Sequence, residues 1–448
     1  MGPVSGKIAG ILCVLLAAGL LLRYAEGASF RDPGMNPHPV ALQRPHDGPL
    51  SAVALLGQRI FHDPSLSASG KMSCASCHSP EHAYGPPDGE PVRHGGADGS
   101  LQGNRAVPSL RYLYRTPNFS IGPDVNEAEN VDLNKLAVQS QGTVRAVKTA
   151  GSVAAPAMVP QGGLFWDGRA NTFQTQAMGP LLNPAEMANR DTAEAAARLR
   201  KAPYVESFAQ LFGPGVLKDP ARLLDEAMFA VARYEVEDPS FHPYSSKYDY
   251  WLEGKAALTA EELRGLRLFD DKTKANCAGC HVDRPGRDGL PPLFTDFQYE
   301  ALGVPRNADL SVDRDLRYYD LGLCGPQRAD IRGQTQYCGM FRTPSLRNTS
   351  TRKVFFHNGA YHDLKDVLAF YAFRDVQPDK IYPKGPDGRV RKFDDVPAAY
   401  LGNVDVMDAP LDRKPGQLPA MSDADIRDII AFLKTLDDGY RPEQLAAR

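Results

Sequence analysis

Cysteine, histidine and tryptophan are scarce in this chain: 448 residues hold seven, ten and two of them, so a motif built from these types stands out against chance. A dominant charge is also missing, because Lys/Arg and Asp/Glu balance to a net charge of −3 and are spread along the chain. That balance excludes the basic footprint of a nucleic-acid binder and the polybasic patch of a membrane-surface protein. Long apolar runs are absent with one exception, Ile8 to Leu22, preceded by Lys7 and followed by Ala25-Glu26-Gly27. That run is short for a bilayer span, which takes about 20 residues. A basic residue, an apolar stretch and small residues at the cleavage positions read as an export signal over residues 1–27, with an uncleaved anchor as the alternative. The mature chain is then expected in the periplasm, free of the membrane. Strictly alternating stretches are scarce too, so the fold is expected to be mainly α, with Gly and Pro marking long loops between short helices.

Cysteine positions carry the chemistry. Cys13 lies inside the apolar run and takes no role. Four of the remaining six form two copies of one pattern, Cys74-Ala75-Ser76-Cys77-His78 and Cys277-Ala278-Gly279-Cys280-His281. Two thiols three positions apart on a turn each add to a haem vinyl group, and the following His gives an imidazole nitrogen to iron. Zinc, the alternative for paired Cys, would need further ligands at matching spacing. Two covalent haem c groups are therefore expected, with His78 and His281 as iron ligands. His82, four residues after His78, is expected on the same side of the ring and in solvent. Cys324 and Cys338 are separated by thirteen intervening residues in a Gly-rich stretch. In an oxidising compartment they are expected to form a disulfide worth roughly 3 kcal/mol, two free thiols being the alternative.

Each motif is led by a segment with apolar residues at helical spacing. Leu55, Leu56, Ile60 and Phe61 precede the first, and Leu263, Leu266, Leu268 and Phe269 precede the second. Residues 191–212 and 221–236 also read as helices, as does the segment after Ser422, where Asp and Ile residues follow an N-cap. The Pro- and Tyr-containing stretch 237–250 is the best boundary between a half spanning 28–240 and a half spanning 241–448. Residues 115–160 lack periodicity and read as a long loop or insertion.

Around these motifs the sequence resembles the bacterial dihaem cytochrome c peroxidase family, whose MauG-type members oxidise tryptophan in a partner protein. The resemblance runs from about residue 50 to 437, outside 115–160. It includes Phe165-Trp166-Asp167-Gly168-Arg169-Ala170, Gly179-Pro180-Leu181-Leu182-Asn183-Pro184-Ala185-Glu186-Met187, Thr343-Pro344-Ser345-Leu346-Arg347-Asn348 and Phe356-His357-Asn358-Gly359. It implies two cytochrome c-like haem domains packed against each other, the N-terminal one reacting with hydrogen peroxide.

Residue by residue, Trp166 matches the tryptophan that relays charge between the haems. Glu186 matches the distal carboxylate of the N-terminal haem, with Gln176 and Pro180 in the same pocket, and His357 joins this catalytic set. A carboxylate there takes a proton from peroxide and returns it to the leaving oxygen. Tyr371 matches an axial ligand of the C-terminal haem that is Met in members fed by a small electron donor and Tyr in MauG-type members. A phenolate favours oxidised iron and a thioether favours ferrous iron; a buried helix tyrosine, with Met340 as ligand, is the alternative. His94 departs from the MauG pattern, standing where other members carry a second His ligand at rest. The resemblance also implies a calcium ion held by an Asn side chain and two carbonyls. The carbonyls match Arg352 and Val354, but the Asn position falls on Ala106, leaving Asn104 as the nearest substitute.

The expected function is a peroxide-dependent oxidation, through a high-valent two-haem intermediate, of a partner protein's side chain, tryptophan foremost. The runner-up is a peroxidase reducing peroxide with electrons from a small cytochrome or copper protein. A dihaem electron carrier ranks third, because Glu186 beside Gln176 argues for an open haem face.

Overall fold

The computed structural model describes residues 34–45, 47–123 and 158–442. The export segment, Cys13 and most of the 115–160 stretch lie outside them. The helices are α1 (Ala52–Phe61), α2 (Cys74–Cys77), α3 (Phe173–Leu182), α4 (Thr192–Leu199), α5 (Val205–Phe212), α6 (Pro220–Glu237), α7 (Lys247–Leu252), α8 (Ala260–Asp270), α9 (Leu364–Phe373) and α10 (Asp423–Lys434). Only 36% of the described residues are helical, so helices carry the cores while long connections carry much of the described chain.

The two motif-leading segments are helices built alike. In α1 the Ser51 hydroxyl accepts the Ala54 amide, and Leu56, Ile60 and Phe61 turn inward against α6. In α8 Thr259 and Glu262 form a capping box, and Leu266 and Phe269 turn inward against α10, itself capped by Ser422 and Asp425. Each crossing has a glycine at its closest point. A Cβ at Gly57 would lie 1.9 Å from the Ala230 carbonyl oxygen of α6, and one at Gly265 would lie 2.0 Å from the Asp428 carbonyl oxygen of α10. Only a residue without a side chain lets the two backbones approach so closely.

Each pair of crossing helices closes an apolar cluster. One gathers Phe61, Tyr84, Phe208, Leu223 and Phe241, with Tyr84 and Phe241 stacked at 3.7 Å. The other gathers Tyr248, Phe269, Phe294, Ile429 and Phe432. Burying one such side chain stabilises the fold by about 1.5–3 kcal/mol. Arg347 joins distant segments of the chain: its guanidinium forks onto Asp249 at 2.6 and 2.9 Å and lies 4.9 Å from the ring centroids of both Tyr112 and Tyr244.

Two expectations need correction. Residues 191–212 form two helices, α4 and α5, because Pro203 lacks an amide hydrogen and pushes Ala202 away from helical backbone. The 115–160 stretch is not a bare loop at its ends: β3 (Ser120–Pro123) pairs antiparallel with β4 (Met158–Gln161). The other sheets are also two-stranded ribbons, β1 (His94–Gly95) with β2 (Leu101–Gln102) and β5 (Tyr299–Glu300) with β6 (Phe341–Arg342). No helix among the described residues is long and apolar enough to cross a membrane.

Candidate active site

The two Cys-x-x-Cys-His motifs present their histidines in the same way. The first occupies α2, where Ser73 and Ser76 form a capping box. The second is a tighter turn entered through Asn276 at φ +47°. His78 Nδ1 donates to the Tyr84 carbonyl at 3.1 Å, and His281 Nδ1 donates to the Phe294 carbonyl at 2.9 Å. Each bond fixes the tautomer, so the Nε2 lone pair is available to a metal. Burial holds both imidazoles neutral by lowering their pKa to about 4.

None of the four motif thiols is in a disulfide, whereas Cys324 and Cys338 are joined. Burial pushes Cys74 and Cys277 up to about 12, and each packs against the apolar cluster of its own half. A zinc site needs thiolates and third and fourth ligands, and no cluster of His, Cys, Asp or Glu with that makeup occurs among the described residues. Buried neutral thiols beside an oriented imidazole fit a covalently attached haem.

A cavity of about 450 Å³ opens at the second motif, lined by Cys277, Cys280, His281, Tyr371, His357 and Trp166 among others. Tyr371 comes from α9, where Asp363 caps the helix and Leu368 and Phe370 anchor it in the interior. Burial raises its phenol pKa well above the usual value, and the neighbouring Cys280 and Cys277 raise it further. Met340, the alternative ligand, packs with Tyr299, Leu323 and Tyr337 instead. His357 stacks on Phe341 at 3.5 Å with its Nε2 buried and unpartnered among the described residues. Burial lowers the His357 pKa to about 4. Trp166 is held from both sides: its carbonyl accepts the Arg342 amide at 2.9 Å, and its indole donates to the Ala106 carbonyl at 2.8 Å. His82 is half-buried, bonds the Ser79 hydroxyl and lines the same cavity, so it is not the solvent residue expected.

Around the first motif, Glu186 follows α3 in a turn where Asn183 donates to its carboxylate at 2.5 Å. Burial raises the Glu186 pKa, against the opposing pull of Asn183 and Arg169. Glu186 acts electrostatically on Cys77 and Cys74, which places it in the first motif's surroundings. Gln176 is buried on α3, and Pro180 stands one turn further along the same helix. His94 points elsewhere. Gly95 is pressed inward, where a Cβ would lie 2.3 Å from the Ala185 carbonyl oxygen, and Gly96 donates to the Glu186 carbonyl at 2.8 Å. Strand neighbours face opposite ways, so His94 is exposed, with Nδ1 3.7 Å from the Glu90 carboxylate.

Comparison with known proteins gives this geometry a family. The di-haem cytochrome c peroxidase profile matches residues 51–257. The methylamine utilization protein MauG of Paracoccus denitrificans (strain Pd 1222) is 33% identical over 415 residues, 89% of this chain and 91% of that protein. The chain belongs to the di-haem cytochrome c peroxidase family. It is thus a peroxide-dependent oxidoreductase, and the family implies two haem groups. The cytochrome c551 peroxidase of Nitrosomonas europaea is 26% identical over 356 residues, 78% of this chain and 81% of the relative. Among solved structures, the diheme peroxidase BthA from Burkholderia thailandensis superposes with a TM-score of 0.74 at 36% identity, covering 89% of each chain.

Calcium does not fit this family member. The Val354 carbonyl accepts Nε of Arg352 at 3.3 Å, the amide and carbonyl of Ala106 serve His357 and Trp166, and Asn104 is only half-buried in its loop. Three features escaped sequence reasoning: Asn183 on Glu186, Phe341 on His357, and Arg105 forked onto Asp320 at 2.6 and 2.7 Å and onto Asp167 at 2.8 Å. Arg105 and Asp320 lie 215 positions apart, and no local pattern announces such a pairing.

Proposed function

We propose that this enzyme takes two oxidising equivalents from hydrogen peroxide and delivers them to a side chain of a partner protein, tryptophan by first choice. The observation that carries the reading is Tyr371, which lines one cavity with His281, Cys277 and Cys280 while Met340 packs elsewhere. Haem c, attached through Cys74 and Cys77 at one site and Cys277 and Cys280 at the other, would supply the redox chemistry, with His78 and His281 holding the irons. The halves 28–240 and 241–448 then act as two cytochrome c-like domains exported to the periplasm, where the Cys324–Cys338 disulfide is stable. Neither a nucleic acid nor a membrane is a partner of the mature chain.

Glu186 does the proton work. Its carboxylate, oriented by Asn183, accepts a proton from peroxide and returns it to the departing oxygen, while Gln176 and Pro180 shape the pocket. His94 is no iron ligand at rest in this reading, because its strand turns it toward Glu90 and away from the Glu186 segment. Trp166, clamped between Arg342 and Ala106, carries charge between the two sites. His357, stacked flat on Phe341, helps fix the wall of the second site.

Tyr371→Met tests the reading. The variant should retain both haems, lose oxidation of a tryptophan-containing partner, and keep or gain turnover with a reduced small cytochrome, since a thioether favours ferrous iron. The reading fails if the native enzyme turns over rapidly with reduced cytochrome and never holds both oxidising equivalents. A low-spin resting ferric signal at both haems, converted to high-spin by His94→Ala, would restore His94 as a ligand.

A further inference from the structure

Arg352 follows the turn Thr349–Thr351 and sends its guanidinium into the region between the two motifs. Nε donates to the Val354 carbonyl at 3.3 Å, and Nη2 donates to the Val107 carbonyl at 3.0 Å. A Cβ built on Gly85 would lie 3.1 Å from Nη1. The guanidinium therefore touches three functional segments at once. Gly85 follows Tyr84, whose carbonyl holds His78. Val107 follows Ala106, whose carbonyl holds Trp166. Val354 leads to His357.

The half-buried Arg352 side chain differs from Arg105 and Arg347 in its partners. Arg105 is paired with Asp167 and Asp320, and Arg347 with Asp249. Arg352 has only carbonyl partners among the described residues, and burial is the sole influence on its pKa, which it lowers to about 10. It stays charged at neutral pH, close enough to His78 to lower that residue's proton affinity. Backbone carbonyls orient a guanidinium but do not neutralise it, so Arg352 brings a net positive charge to the cavity wall that an apolar residue would not. Calcium takes six to eight oxygen ligands at about 2.3–2.6 Å, carboxylates among them. Here a fixed positive charge already uses one of the two carbonyls expected for the ion, and no acidic side chain among the described residues pairs with it.

We infer that the Arg352 guanidinium is the resident cation of the inter-haem region, replacing calcium, so that this enzyme works without Ca²⁺. A tethered charge cannot dissociate, and it favours the less positive, reduced state of the adjacent His78-side haem whatever the surrounding calcium activity. The inference does not depend on which substrate the enzyme oxidises, because it is read on the resting protein.

The test uses the purified two-haem enzyme. Elemental analysis should find no stoichiometric calcium, and dialysis against EGTA should leave the optical spectrum and both reduction potentials unchanged. One tightly bound calcium per chain, or an EGTA-induced change reversed by added Ca²⁺, would overturn the inference. Spectroelectrochemical titration of Arg352→Met, which keeps volume and removes charge, should show a lowered potential for the His78-side haem, with Arg352→Lys nearer the native value. An unchanged potential in an Arg352→Met protein holding both haems would equally overturn it. Should Arg352→Met fail to hold both haems, the calcium content of the native enzyme decides.

Discussion

The indole of Trp166 donates to the carbonyl of Ala106 at 2.8 Å, and the amide of that same alanine donates to the carbonyl of His357 at 2.7 Å. A single residue thus ties the aromatic side chain of the first half to the histidine segment of the second. Trp166→Phe should keep both haems and lose about 1 kcal/mol of stability with its hydrogen bond. Stopped-flow spectra after peroxide should show slower sharing of oxidising equivalents between the two sites. Equal rates in variant and native enzyme would remove Trp166 from the charge path.

Glu186→Gln should slow the reaction with peroxide by roughly 10²-fold, the usual weight of general acid–base assistance. The pH profile adds a sign. A general base works when ionised, and burial raises the Glu186 pKa above the ordinary carboxylate value. The native rate should therefore fall as pH drops through that raised pKa, while Glu186→Gln stays flat over the same range. Stopped-flow rates measured against pH check both points.

Gly57→Ala and Gly265→Ala should each destabilise one half of the protein, because the new Cβ would fall 1.9 and 2.0 Å from a carbonyl oxygen of the crossing helix. Overpacking of this kind costs about 1–3 kcal/mol. Thermal denaturation with haem quantification should show Gly57→Ala weakening retention at Cys74 and Cys77, and Gly265→Ala weakening it at Cys277 and Cys280. Native melting behaviour in both variants would show that the helices can part without cost.

Replacing Cys324 and Cys338 together by Ser should lower stability by roughly 3 kcal/mol, the loop-closure contribution of a bridge this short. Both haems should remain, since the thioether positions are separate cysteines. Denaturant unfolding of the double variant, compared with native protein under reducing and non-reducing conditions, measures the effect.

Much of the site was legible because its chemistry is local. A Cys-x-x-Cys-His turn needs five adjacent residues, the helix leading into each motif follows from apolar spacing alone, and the N-cap at Ser422 follows from its own residue type. The break at Pro203 was equally local and was misread, since an apolar stripe ran on through it. The pairing of β3 with β4 was hidden for another reason: its partners lie on either side of a long aperiodic segment, and ribbon register is settled between strands rather than within one.

By itself, then, the sequence determined what short stretches of chain can specify: the two Cys-x-x-Cys-His motifs, the helices that lead into them and the pairing of Cys324 with Cys338. Tertiary structure alone decided which way a side chain faces and what meets it. Gly95 packing inward is what turns His94 outward, and the folding of α9 is what brings Tyr371 rather than Met340 to the cavity of His281. The Arg352 guanidinium lies against carbonyls from residues 107 and 354, segments brought together only when the halves pack. Charge and hydrogen-bond partners separated by hundreds of residues have no signature in sequence, because the force between them depends on distance in space.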